Sequence, residues 1–303
     1  MSRTTTVPAS NGLDPALLVI IGLLLGSGLV MLASASIALA ERSTGDPFFY
    51  LERQLIALLL GLGCAAGVLR VPTEFWDRTG LMLACLAIVL LLAVLVPGLG
   101  HTANGSTRWL QVGGLSIQAA EPARLLLLMW LAGYAVRHSD ALRSSAKGFI
   151  RPMLLLGPAA GLLLVQPDFG SAVVLMAVSV AVLFVAGARL RDLLVVGGMG
   201  ALAAVLLVGT SEYRLGRVLG FMDPWADPYA RGFQLVQSLI AIGTGEWFGA
   251  GLGNGVQKLF YLPEAHTDFI FAVLAEEFGL IGVVFILGLF MLLVARIMAI
   301  GVR

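Results

Sequence analysis

The chain alternates between long apolar runs and short polar breaks. The runs lie at about 16–40, 54–70, 80–96, 122–136, 152–165, 171–187, 192–208 and 268–298. A helix needs roughly 17–25 mostly apolar residues to cross a bilayer. The pattern therefore predicts eight spans in an all-α polytopic membrane protein, with a tail over 1–15 and one transmembrane domain over 16–303. The fifth run is short and holds Gly157-Pro158, which predicts a kinked or partly shielded span. Gln166-Pro167-Asp168-Phe169-Gly170 is polar turn chemistry and divides the fifth run from the sixth.

Two polar breaks carry patterns of their own. In the 97–121 break, two short alternating runs, Arg108 to Val112 and Leu115 to Gln118, meet at Gly113-Gly114. That is a hairpin signal. Asn104-Gly105-Ser106 matches a glycosylation sequon but reads better as an Asn-Gly turn. The break at about 209–267 is rich in glycine, proline and aromatic residues. Loops of such length are uncommon unless functional. Within it, Gly232 to Gly245 has the amphipathic pattern of a helix at the membrane interface.

Composition agrees with the pattern. Hydrophobic residues make up 59% of the chain and charged residues 12%, against about 25% charge in soluble domains. The mean hydropathy is +0.95. This excludes an ordinary soluble protein, and a net charge of +1 gives no reason to invoke nucleic acid. Cys64 and Cys85 stand in separate apolar runs and are expected as small buried hydrophobes rather than a disulfide framework. Arg3 precedes the first run, and Ala38-Leu39-Ala40 resembles a signal-peptidase site. The run is longer than the about 7–15 residues of a signal peptide, so it reads as an uncleaved span.

The distribution of charge gives an orientation. Lysine and arginine concentrate in cytoplasmic loops. One set of loops holds Arg70 and Arg78, then Arg137, Arg143, Lys147 and Arg151, then Arg189 and Arg191; Arg3, Arg296 and Arg303 fall on that side. The other set holds Arg42, Arg53 and Arg108, with Glu41, Asp46 and Glu52 beside them. Both termini are therefore expected in the cytoplasm, with 41–53, 97–121, 166–170 and 209–267 facing outward.

Candidate chemistry lies on the outward side. Leu262-Pro263-Glu264-Ala265-His266-Thr267-Asp268 leads into the last run, which also contains Glu276 and Glu277. Intramembrane carboxylates are functional suspects. Asp268 reads either as the N-cap of the last helix or as a reactive carboxylate at the outer boundary. An outward polar cavity would accommodate both Asp268 and the deeper Glu276. Glu264 and His266 crowd the same segment. Glu121 and Arg124 are spaced to pair along one helix. Arg108, Arg214, Arg217, Arg231 and Lys258 read either as ordinary solvated charges or as an electrostatic cradle for a phosphate-bearing lipid. The three histidines show no metal-ligand spacing. No P-loop, nucleophile elbow or dinucleotide fingerprint stands in a meaningful context.

Three stretches together resemble the SEDS family, the bacterial cell-wall polymerases that include the RodA and FtsW branches. They are Asn104-Gly105-Ser106-Thr107-Arg108-Trp109, Gln166 to Gly170, and above all Gly251 to Gly279, GLGNGVQKLFYLPEAHTDFIFAVLAEEFG. Phe221-Met222-Asp223-Pro224-Trp225 and Val256 to Tyr261 are similar to the division branch, FtsW.

The resemblance implies a lipid II-dependent peptidoglycan glycosyltransferase of the septal cytoplasmic membrane, with the family's essential aspartate at Asp268. In that reading Asp268 is the general base, and Arg108, Glu121, Arg124, Arg217, Lys258, Glu264 and His266 are the candidate substrate contacts. A divalent cation (Mg or Mn) could assist the leaving pyrophosphate. The implied partners are lipid II, an undecaprenyl-pyrophosphate-linked glycan, an FtsI-like class B penicillin-binding transpeptidase with a single span, and division proteins of the FtsQ, FtsL and FtsB type. A lipid II transporter and a non-catalytic division scaffold are the alternatives. Two departures stand out. The family usually has ten spans where eight are read in this chain, and Gln118-Ala119-Ala120-Glu121 with Arg124 replaces the usual Gln-Pro-Ser/Ala-Glu with lysine.

Overall fold

A computed structural model describes residues 13–103, 106–112 and 115–302. The described residues pack as two compact units, one drawn from 1–64 with 210–303 and the other from 65–209. Each expected span falls on a helix. Five helices are long and apolar enough to cross a membrane by themselves: α1 (Pro15–Thr44), α2 (Phe49–Arg70), α7 (Ala146–Val165), α9 (Leu190–Gly209) and α12 (Ile270–Gly301). The other expected spans are α4 (Gly80–Leu95), α5 (Ala120–Arg137) and α8 (Phe169–Val185). The short helices α3 (Thr73–Arg78) and α6 (Ser139–Ser144) lead into spans. In the 209–267 break lie α10 (Glu212–Met222), a 3-10 turn at Pro224–Ala226 and α11 (Phe233–Thr244).

In the second unit, α4, α5, α7 and α8 enclose a core that includes Leu91, Leu127, Leu131, Phe149, Leu156 and Leu175. Pro152 and Pro158 both lie inside α7, which begins earlier than the apolar run does. The expected hairpin is present. Strand β2 (Ser106–Val112) pairs antiparallel with β3 (Leu115–Gln118), Val112 opposite Leu115, and an earlier strand, β1 (Gly100–Ala103), extends the sheet in the order β1-β2-β3. The Asn104-Gly105 turn and the Gly113-Gly114 pair lie outside the described residues.

The first unit is built around α1 and α12. Asp14 caps α1 by accepting from the Leu17 amide at 3.0 Å, and Arg296 near the end of α12 donates to the same carboxylate at 2.6 Å. The start of α1 and the end of α12 therefore lie together. Ser34 of α1 meets Glu277 of α12 at 2.8 Å. At 1.5 Å per helical residue, the two meeting points are separated by about 30 Å, the thickness of a hydrocarbon layer. Met31, Ala35, Val273, Ile286 and Leu289 fill the space between the two helices, and Ala241 of α11 joins them. The helix expected within Gly232 to Gly245 is present as α11, and its buried residues are Val236, Ser238 and Ala241.

α12 is two helices in one apolar run. Gly279 has φ +63° and ψ −162° and breaks it. A break frees backbone groups that cannot be left unpaired in an apolar layer. The segment 246–251 takes them up. The Leu280 and Ile281 amides donate to the Glu246 and Trp247 carbonyls, and the Ala250 and Gly251 amides donate to the Glu276 and Glu277 carbonyls. Only glycine permits so close an approach. A Cβ on Gly279 would stand 2.5 Å from the Gly249 nitrogen and 2.7 Å from the Gly245 oxygen.

Cys64 and Cys85 are free, and both are exposed rather than buried. A thiol in a span gains nothing by choosing protein over equally apolar lipid.

Candidate functional site

The 249–269 segment carries Asp268 and is irregular throughout. Two of its residues sink into the core of the first unit, Leu262 and Ala265. Further contacts tie it down at intervals. The Lys258 ammonium lies 2.5 Å from Glu277 Oε1 and 2.7 Å from Ser34 Oγ. The Phe260 ring lies under the Arg42 guanidinium, 4.8 Å from its centroid. The His266 ring meets Tyr50 of α2 with centroids 4.8 Å apart. Thus α1, α2 and α12 all hold the segment. Within it, Glu264 has φ +55° and Phe260 φ +69°. Non-glycine residues in that region are strained, and such strain clusters at functional sites. The Glu264 carbonyl accepts from the Thr267 and Phe269 amides, and its carboxylate accepts from the Thr267 hydroxyl at 2.8 Å. This turn sets the exit of the chain into α12.

Asp268 itself is exposed. It is not the cap of α12. The helix starts at Ile270 with Phe269 as its N-cap residue, and no side chain bonds the first turn. The turn built on Glu264 replaces a side-chain cap, which is why the capping reading fails. An outward cavity shared by Asp268 and Glu276 is not needed either. Glu276 is 3% exposed and its carboxylate accepts from the Val256 and Gln257 amides at 2.7 and 3.2 Å. Glu277 is 1% exposed and pairs with Lys258, itself 8% exposed. Lys258 therefore faces a buried carboxylate, where the sequence pattern suggested an outward cation for a phosphate. Arg217 is exposed on α10.

The second unit holds the remaining candidates. Glu121 and Arg124 form the expected ion pair on α5. They line an open concavity of about 450 Å³ with Pro122, Leu125 and Leu128. Arg108 of β2 donates to the Pro167 carbonyl at 2.6 Å. Asp168 is buried and caps α8 through the Ser171 amide, and it also accepts from the Ser171 hydroxyl and Gln118. Sequence reasoning had no assignment for Ser34, Arg42 or Tyr50. Their partners lie more than 200 residues away, and no local pattern marks them.

Among the described residues no cluster of three His, Cys, Asp or Glu side chains is placed to hold a metal. The exposed carboxylates Asp268 and Glu264 match the way Mg²⁺ is usually held, by one or two carboxylates together with substrate phosphates.

Comparisons with known proteins give the family of the chain. The family model FTSW_RODA_SPOVE, described as cell cycle protein, matches residues 15–303. A probable peptidoglycan glycosyltransferase FtsW from Thioalkalivibrio sp. (strain K90mix) is 50% identical over 300 residues, covering 99% of this chain and 75% of that protein. One chain of a solved peptidoglycan synthase complex, described as coordinating polymerization and crosslinking, superposes with a TM-score of 0.74 at 32% identity, covering 95% of this chain and 78% of that one. The rod shape determining protein RodA of Thermus thermophilus superposes with a TM-score of 0.66 at 31% identity, covering 97% of this chain and 77% of that one. A polytopic membrane chain that matches at this identity over nearly its whole length belongs to the FtsW/RodA/SpoVE family of cell cycle proteins.

Proposed function

We propose that the chain is a peptidoglycan glycosyltransferase that polymerises lipid II into glycan strands at the outer face of the cytoplasmic membrane during division, with Asp268 as general base. The observation that carries the reading is the state of Asp268: an exposed carboxylate that caps nothing, on a segment anchored to three helices. The relatives' names supply the reaction class. The orientation rests on loop charge; the pairing of Asp14 with Arg296 puts the start of α1 and the end of α12 on one side without saying which. Septal location is part of the same proposal, and the FtsW relatives support it. The named synthase complex supports a crosslinking partner, read as a class B transpeptidase of the FtsI type. FtsQ-, FtsL- and FtsB-like proteins complete the proposed assembly.

In the proposed step, Asp268 accepts the proton of the lipid II acceptor hydroxyl. The hydroxyl oxygen bonds to the anomeric carbon of the growing strand. The bond from that carbon to the lipid pyrophosphate breaks, and the electron pair leaves with the pyrophosphate. Fixed cations stabilise such developing charge; Arg217, in the same unit as Asp268, is the proposed one, with Glu264 and His266 beside the base, while Arg108 and the Glu121–Arg124 pair are the candidate substrate contacts within the second unit. A divalent cation held by Glu264 would supply further neutralisation of that charge, leaving Asp268 as the base.

The test is Asp268→Asn. Polymerisation of lipid II by the purified protein should fall by about 10²–10⁴, the usual contribution of a general base. Near wild-type polymerisation by Asp268→Asn would refute the assignment. Transfer of lipid II across vesicles without polymer would make the protein a transporter, and partner binding without any intrinsic polymerisation would make it a scaffold.

A further inference from the structure

Glu276 and Glu277 stand in the last turn before the break at Gly279. Carboxylates are disfavoured at that end of a helix, where the macrodipole is negative. Both are almost fully buried, where a carboxylate is tolerated only with hydrogen-bonding or charged partners. Neither residue helps its own helix, so their value lies in what they hold. Glu276 holds the Val256 and Gln257 amides, and Glu277 holds Lys258 and Ser34. Three consecutive residues of the Asp268 segment are thus fastened to one helical turn and to α1. Gly255 lets the chain lie flat on them, since a Cβ there would be 2.9 Å from Glu276 Oε2 and 3.1 Å from Glu277 Oε1.

We infer that the Ser34–Lys258–Glu277 cluster is a positioning device for Asp268, and that Lys258 acts through it rather than on the pyrophosphate. The inference rests on the polymerase reading. Asp268 lies ten residues beyond Lys258 in a segment with no helix or strand of its own, so its place depends on such ties. The ammonium of Lys258 is shared between Glu277 and Ser34 and is 8% exposed, which leaves it little to offer a ligand.

The experiment compares wild type with Ser34→Ala, Lys258→Met and Lys258→Met/Glu277→Gln in the purified full chain with lipid II. The double variant leaves no stranded buried charge and guards against a failure to fold. Displacement of a reacting group by about 1 Å can cost 10²-fold. We expect kcat per folded molecule to fall by about that factor in Lys258→Met and in the double variant, and less in Ser34→Ala, with KM within about threefold of wild type. Amide exchange over 258–269 should quicken while 282–298 stays protected. A raised KM with unchanged kcat would make Lys258 a ligand of the substrate and overturn the inference. Unchanged kcat and KM in the folded double variant would make the cluster merely structural and overturn it as well. Absence of polymer from wild type would instead sink the polymerase reading.

Discussion

At the scale of the residue, Asp268 separates two roles that sequence alone could not. An aspartate just before a long helix is the usual N-cap, and Asp→Ala at a cap costs about 0.5–2 kcal/mol. With Phe269 in the cap position and no side-chain bond to the first turn, that cost should be missing. Asp268→Ala and Asp268→Asn should melt within about 0.5 kcal/mol of wild type, as an exposed substitution does, while both lose activity. Calorimetry in detergent beside the polymerisation assay checks this. A stability loss confined to alanine would restore the cap. The motif around Asp268 was legible because it is local. The division of labour between Glu276 and Glu277 was not, because adjacent acids look alike in sequence. Their roles are set by Val256 about twenty positions away and by Ser34, 243 positions away.

At the scale of the element, apolar runs gave the helices, since a span must satisfy its own backbone. They hid the break in α12, because the run continues apolar for many residues after Gly279 and glycine is common in spans. Gly279→Ala adds strain at φ +63° and a collision with backbone atoms of 245, 247 and 249, none of which can swing aside as a side chain would. It should destabilise the protein by at least about 1–3 kcal/mol, measured by thermal unfolding, whereas alanine at Gly288, which meets nothing within 4 Å, should be nearly neutral. The far end of α1 carries a pH dependence. Hydrogen bonds from Arg296, and then from the Leu17 amide, hold the Asp14 carboxyl at a pKa of about 2. A depressed carboxyl stabilises the fold above its unfolded pKa of about 3.9. Asp14→Asn should therefore lower the melting temperature by a constant amount from pH 5 to 9. That gap should close as pH falls from about 4 toward 2. A gap undiminished at pH 2 would contradict the pairing.

At the scale of the whole molecule, the charge bias of the loops predicts an orientation that helix packing cannot. In a protein with Cys64 and Cys85 replaced, a cysteine at Gln111 or Ala226 should react with an impermeant reagent from outside, and one at Ser144 should not. Each of these positions is exposed, whereas Ser106, in the same hairpin as Gln111, is buried and would report poorly. Reversed labelling would turn the Asp268 segment to the cytoplasm and end the proposed function. The two-unit packing was not legible, because the first unit joins the two ends of the chain and nothing in a run of apolar residues announces its partner.

That joining has a consequence for biosynthesis. Ser34 emerges 243 residues before Glu277. At about 5–20 residues per second, α1 sits in the membrane for roughly 12–50 s before the turn that fastens Lys258 has been translated. The segment bearing Asp268 cannot settle until then. A nascent chain therefore has no settled Asp268 segment while its earlier spans are being inserted, and that segment can settle only once the first turns of α12 have been made.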